Sequence, residues 1–220
     1  MEYLRYRLDH EKRADLPKLM SRPLANSGFS LIELMVTITL MSMLMALAMP
    51  SMTAWIQNGK VRAVGESLQN GLRLAQAESL RRNRQVVFSL TNSSALQSGA
   101  NVAAVVNGLN WSTNTLPSMS AGETSAFVQS GVLADVSAGI QLIGPASICF
   151  KSIGRLVTNA APSVTAVTGG TSCDATSSIA YSITSPGADR RLRVTVALGG
   201  QIRMCDPDKT LSASVSDGCA

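Results

Sequence analysis

From Phe29 to Pro50 the chain reads FSLIELMVTITLMSMLMALAMP, 22 residues with a single charge, Glu33. A helix of about 20 apolar residues, at about 1.5 Å rise per residue, crosses the roughly 30 Å hydrocarbon core of a bilayer. The run is long enough to span, and it exceeds the apolar core of an ordinary secretory signal. Six of the ten methionines (35, 41, 43, 45, 49 and 52) fall in or just after it. Methionine is unbranched and adaptable, which suits a helix that packs first in lipid and then against protein.

The flanks predict orientation. Residues 1–28 carry Arg5, Arg7, Lys12, Arg13, Lys18 and Arg22, whereas only Lys60 and Arg62 follow closely after the run. The positive-inside rule then keeps the N-terminus in the cytoplasm and puts the rest of the chain beyond the membrane. That side permits disulfides, and all four cysteines (149, 173, 205 and 219) lie there. Four cysteines allow three connectivities. Short loops close most readily, which favours Cys205 with Cys219 and Cys149 with Cys173; the other pairings and four buried thiols are the alternatives. No C-x-x-C spacing points to zinc or thioredoxin-type chemistry.

The basic leader meets the apolar run at Ser27-Gly28-Phe29-Ser30-Leu31-Ile32-Glu33. This junction resembles that of the type IV pilin family, in which a basic leader ends in Gly, a Phe follows, and a Glu stands at the fifth position after the Gly. The resemblance implies cleavage between Gly28 and Phe29 by prepilin peptidase and N-methylation of the new Phe29 amine. The leader is longer than most in the family, so Met20 is an alternative start. The resemblance also implies an assembly role for Glu33 and for Pro50, which stands where pilins often carry a helix-bending proline.

Glu33 is conspicuous on physical grounds alone. An acidic side chain inside an apolar span costs about 2.5–3.5 kcal/mol near the bilayer centre. Near a helix start the positive end of the helix dipole offsets part of this. A freed Phe29 amine is a partner of opposite sign, and the family resemblance favours the amine of a neighbouring chain; a Glu capping its own helix is the alternative.

Beyond Pro50 the helix is expected to continue to about residue 83. Val61, Val64, Leu68, Leu72, Ala75 and Ser79 or Leu80 recur at spacings of three and four, and Lys60, Arg62, Glu66, Arg73, Glu78, Arg81 and Arg82 occupy the other face. Gly65 and Gly71 each weaken such a helix by about 1 kcal/mol relative to Ala. The period then changes. Residues 85–91, 139–143, 147–151, 178–184, 191–198 and 201–205 read as short strands separated by turn residues, with Gly199-Gly200 as a two-residue hairpin turn. Residues 92–138 and 157–177 read as long loops or irregular strands.

The expected architecture is α+β: a cleaved leader (1–28), a membrane or filament-core half-helix (29–56), an amphipathic half-helix (57–84) and an antiparallel β-sheet head (85–220) packed on the helix. Within the family, LRLAQAESLRRNRQVVFSL, Asn110-Trp111, ICFKSIGRL and RLRVTVALGGQIRMCDP resemble the GspH/FimT/FimU group of minor pilins and pseudopilins. Trp111 itself is expected to be a core or loop anchor.

The resemblance implies a minor pilin that primes a type IV pilus, at its tip, with other minor pilins, the major pilin and a tip adhesin as neighbours. A pseudopilin of a type II secretion system is the close alternative, and a plain single-span membrane protein is the bland one. A third reading is DNA uptake. Some pilins of this group bind DNA through a Gly-Arg-x-Arg motif, but Gly200-Gln201-Ile202-Arg203 lacks the first arginine. The candidate contacts are Arg190, Arg191, Arg193 and Arg203, set in a head whose net charge is zero, beside Asp189, Asp206 and Asp208. Solvated strand charges are the favoured reading of these arginines.

Catalysis is not expected. The one histidine, His10, lies in the leader, so Ser-His and Cys-His sites are excluded from the processed chain unless a Lys replaces the base. The acidic pair in Asp206-Pro207-Asp208 reads as a turn before Lys209 rather than as a cation site. No cofactor or metal is expected.

Overall fold

The computed structural model describes residues 28–92, 103–117, 123, 125–133, 138–162, 166–168 and 172–219. The leader through residue 27, with His10 and Met20, lies outside them. The chain divides into two compact units, Met1–Leu44 and Met45–Ala220.

In the first unit, helix α1 begins; it occupies Leu31–Arg82 as a whole. Ser30 is its first acceptor, taking the Leu34 N–H at 3.1 Å. In the second unit, α1 buries Val61, Val64, Leu68, Leu72, Ala75 and Ser79, the stripe expected from the three-and-four spacing; Leu80 points to solvent.

The head departs from a single sheet. Four strands, β1 (Val86–Thr91), β3 (Asn110–Thr115), β4 (Ala126–Val132) and β6 (Ser147–Phe150), form one antiparallel sheet in the order β4-β3-β1-β6. A second sheet takes the order β11-β10-β9-β8-β5, with β5 (Gln141–Ile143), β8 (Ile179–Thr184), β9 (Leu192–Val196), β10 (Ile202–Thr210) and β11 (Gly218–Cys219). Its pairs are antiparallel except β10 with β11. A parallel pair, β2 (Ala104–Val105) with β7 (Ala166–Thr168), completes the described strands.

The strands β3 and β4 lie where long loops or irregular strands are expected from the sequence. β3, NWSTNT, is polar, yet five of its six residues are buried because it lies between β1 and β4. Its register explains the composition. Ser112 faces Ser89 of β1 on one side and Ser130 of β4 on the other, and Ser89 faces Ser147 of β6. The Ser89 and Ser147 hydroxyls lie 3.0 Å apart. Small hydroxyl side chains fill this row, so the alternation of large apolar residues that marks a strand is missing.

Both sheets contribute to one core. Phe88, Leu90, Trp111, Phe150, Tyr181 and Val194 pack in the same cluster as Leu68 and Leu72 of α1. The two glycines that weaken the helix have a packing reason. A Cβ on Gly71 would stand 2.9 Å from the rings of Phe88 and Trp111, and one on Gly65 2.8 Å from the Met204 sulfur. Their helix penalty is therefore offset by close approach to β1, β3 and β10. Tyr181 is fully buried, its hydroxyl has no partner among the described residues, and burial pushes its pKa upward.

The β9–β10 turn has three residues rather than the two expected from Gly199-Gly200. The Ala197 N–H donates to Gln201 O at 2.9 Å and the Gly200 N–H to Ala197 O at 2.8 Å. Leu198, Gly199 and Gly200 form the loop, and Gly200 supplies the left-handed residue, with φ 93°. A side chain there would also collide with the Gly154 carbonyl.

That collision site is where α1 fastens the head. The Gln76 amide donates to Gly154 O at 2.8 Å and to Gly200 O at 2.9 Å, tying two loops to the helix with one side chain. Gln76→Ala strands both carbonyls, and a loss of about 1–3 kcal/mol is expected in equilibrium denaturation of the chain in detergent; an unchanged midpoint would show the two bonds to be dispensable.

A further correction concerns Asp206-Pro207-Asp208. These residues are strand rather than turn, because β10 continues to Thr210. Pairing with β9 ends at Cys205, and β11 meets β10 at Asp206 and Thr210. Pro207 thus sits where neither ladder takes its missing N–H.

Candidate functional site

The stem presents its apolar surface outward. Phe29 is 81% exposed, and the large side chains from Leu31 to Ile56 are all exposed. No residue of the most apolar 18-residue window of α1 is buried. A continuous apolar surface of this extent needs lipid or protein around it.

The polar side chains within this stretch are arranged for such surroundings. Thr37, Thr39, Ser42, Ser51 and Thr53 each donate their hydroxyl to the carbonyl three residues back, at 2.8–2.9 Å. The helix therefore satisfies its own hydroxyls, as a hydrocarbon environment requires. Pro50 lies inside the helix and removes one backbone donor.

Gly28 and Phe29 precede the first helical turn and are exposed. No heavy atom beyond the chain neighbours lies within 4 Å of the position a Cβ on Gly28 would take. Glu33 stands in the first turn, exposed, and makes no hydrogen bond or ion pair among the described residues. The structure therefore sets Gly28, Phe29 and Glu33 close together at one helix start, with the carboxylate open to a partner.

In the head, the structure joins Cys149 to Cys173 and Cys205 to Cys219. The first bridge is buried with Val87 and Leu116. The second ties β11 to β10.

The candidate DNA-contact arginines share a neighbourhood but differ in state. Register places Arg193 opposite Cys205 and Arg203 opposite Thr195, so Arg191, Arg193 and Arg203 lie on one face of the β9–β10 hairpin. Arg191 forms an ion pair with Asp208, its Nε 3.1 Å from the carboxylate. That guanidinium lowers the Asp208 pKa from its ordinary value. Arg203 donates to the Ser216 carbonyl at 3.3 Å. Arg193 is half-buried. Arg190 is exposed, with no ion pair among the described residues. Asp206 lies 3.9 Å from Lys209, and Lys209 also pairs with Asp217, lowering that carboxyl's pKa. No cluster of three or more metal-ligating side chains occurs among the described residues.

Sequence reasoning did not single out Gln76 or the self-satisfied stem hydroxyls. Neither leaves a mark in composition, because the carbonyls that Gln76 joins lie 78 and 124 residues away along the chain.

Among the described residues, then, an acidic side chain without a partner stands at the start of an exposed apolar helix that runs on into a β-rich head. Residues 24–49 match the prokaryotic N-terminal methylation motif. The match covers the start of a long N-terminal helix whose later part packs on antiparallel sheet. Two crystal forms of the type IV minor pilin FimU of Pseudomonas aeruginosa align with TM-scores of 0.46 and 0.43, each at 13% identity, over 70% and 67% of this chain and 98% of that one. The minor pseudopilin EpsH of the type 2 secretion system of Vibrio cholerae aligns with a TM-score of 0.42 at 15% identity, over 68% of this chain and 99% of that one. No curated protein matches the chain in sequence.

Proposed function

We propose that the chain is a minor pilin of a type IV pilus. Prepilin peptidase cleaves between Gly28 and Phe29, the Phe29 amine is methylated, and the stem holds the protein in the inner membrane with its head in the periplasm. The stem is then packed among the stems of other minor pilins and the major pilin. There the protein primes the fibre and sits at its tip, beside an adhesin. Glu33 pairs with the Phe29-type amine of a neighbouring subunit, and Pro50 sets the bend of the stem. The observation that carries this reading is the exposed apolar stem whose one carboxylate, Glu33, has no partner within the described chain.

The same motif and architecture suit a pseudopilin of a type II secretion system, and the neighbouring genes discriminate: minor-pilin and adhesin genes favour the pilus, secretion genes the pseudopilin. DNA uptake is not favoured, since Arg191 is tied to Asp208 and the first arginine of the motif is absent.

Gly28→Ala tests the reading. Immunoblots of cells carrying it are expected to show only uncut precursor, with piliation lost. A product of normal mature size and normal piliation would sink it.

A further inference from the structure

Where α1 leaves its apolar stretch, the second unit holds an open groove of about 720 Å³ between the helix and the β9–β10 hairpin. Its apolar surface comes from Trp55, Ile56, Val61, Leu192 and Met204. Trp55 is 75% exposed. The groove is braced: Asn58 Oδ1 accepts the N–H groups of Asp189 and Arg190 at 3.0 and 3.2 Å, and Gln57 Oε1 accepts the Ser185 hydroxyl at 3.0 Å. These bonds hold the β8–β9 loop against the helix and fix Arg190 at the groove edge.

The charges are unequal. Lys60, Arg62 and Arg190 line the groove, with Asp206 and Asp217 as its acidic residues. Lys209 engages both carboxylates from outside the lining. Arg62 pairs with Glu66 at an exposed site, while among the described residues Lys60 reaches the Ala138 carbonyl at 3.5 Å and Arg190 makes no ion pair, though its charge helps lower the Asp217 pKa. Lys60 therefore stands over an apolar floor without a carboxylate partner among the described residues, and Arg190 acts on Asp217 only through space, that carboxylate being bonded to Lys209. This combination suits a molecule with an anionic head and an apolar body.

Chain length says where such a molecule comes from. A helical crossing of about 20 residues that starts at Leu31 ends near Pro50, and Trp55 follows five residues on, about 7–8 Å of rise. That is the thickness of the headgroup layer, where tryptophan concentrates. The geometry points to this groove as a docking site for an anionic phospholipid of the membrane that the stem spans, with the phosphate between Lys60 and Arg190 and the upper acyl chain against Trp55 and Leu192. The proposal rests on the membrane-spanning reading of the stem. It gives the head a seat on the bilayer surface before assembly.

The test uses the full chain in nanodiscs of phosphatidylcholine alone and of phosphatidylcholine with phosphatidylglycerol, with hydrogen exchange read at amides 186–192. Phosphatidylglycerol is expected to slow exchange there, by about fivefold for each cation engaged, and added salt to reverse the slowing. Lys60→Gln with Arg190→Gln should abolish the difference between the two lipids. So should Gly59→Glu, which puts a negative charge at a lining position where a Cβ meets nothing within 4 Å. Equal exchange in both lipids, or a difference that survives these variants, overturns the proposal and leaves the span intact. Protection that follows the number of chains per disc rather than lipid charge assigns the groove to a second copy and also overturns it. A chain that fails to co-purify with either disc overturns the span, and the docking site with it.

Discussion

Trp111→Ala is expected to lower the unfolding free energy of the head by about 3–5 kcal/mol, the range for a large aromatic removed from a packed core. The indole is 5% exposed and stacks on Phe88 with ring centroids 5.7 Å apart. A Cβ on Gly71 of α1 would stand 2.9 Å from the ring, and one on Gly131 of β4 would overlap it. The ring is thus wedged between two glycines, one on the helix and one on the edge strand, and its Nε1 donates to Ser67 at 3.2 Å. Alanine would leave a cavity whose two glycine walls have no side chains with which to collapse into it. Urea denaturation of the full chain in detergent, followed by far-UV circular dichroism, measures the loss. A loss below about 1 kcal/mol would show that the helix and sheet hold together without the ring.

Removing the buried bridge by Cys149→Ser with Cys173→Ser is expected to cost about 3.5 kcal/mol. The loop closes 24 residues in sequence, and chain-entropy reasoning gives that order for a loop of this length. The site adds to the effect, since both cysteines are 1% exposed and pack with Val87 and Leu116. The double serine variant therefore also buries two hydroxyls in apolar surroundings. Cys205→Ser with Cys219→Ser should cost less, about 3 kcal/mol for a separation of 14 residues, because that bridge ties down only the short β11. Thermal denaturation of both variants ranks them; the reverse order would contradict the placement of the first bridge in the core.

The elements with a strong period were legible in the sequence. Val61 to Ala75 recur at helical spacing with charges opposite, and they are buried along that stripe. RLRVTVAL and QIRMC alternate, and they form β9 and the start of β10. The failures share one cause. In β3 most of the buried residues are serine, threonine and asparagine, which carry no hydrophobic signal and are buried because the strand lies between β1 and β4. Asp206-Pro207-Asp208 has turn composition, yet it extends a strand at a place where no ladder needs the missing proton. At the stem, the placement of Gly28, Phe29 and Glu33 at one helix start is legible because their spacing is local. Gln76 was not, because both of its acceptors come from distant turns.

The five stem hydroxyls have a thermodynamic consequence. Each is already bonded to its own helix, so exchanging one apolar medium for another breaks none of these bonds and makes none. For these groups the two media are interchangeable solvents. On the proposed passage of the stem from lipid into a fibre, Glu33 is the one ionisable side chain of the described stem to which the exchange matters, because its carboxylate needs a positive charge in either surrounding.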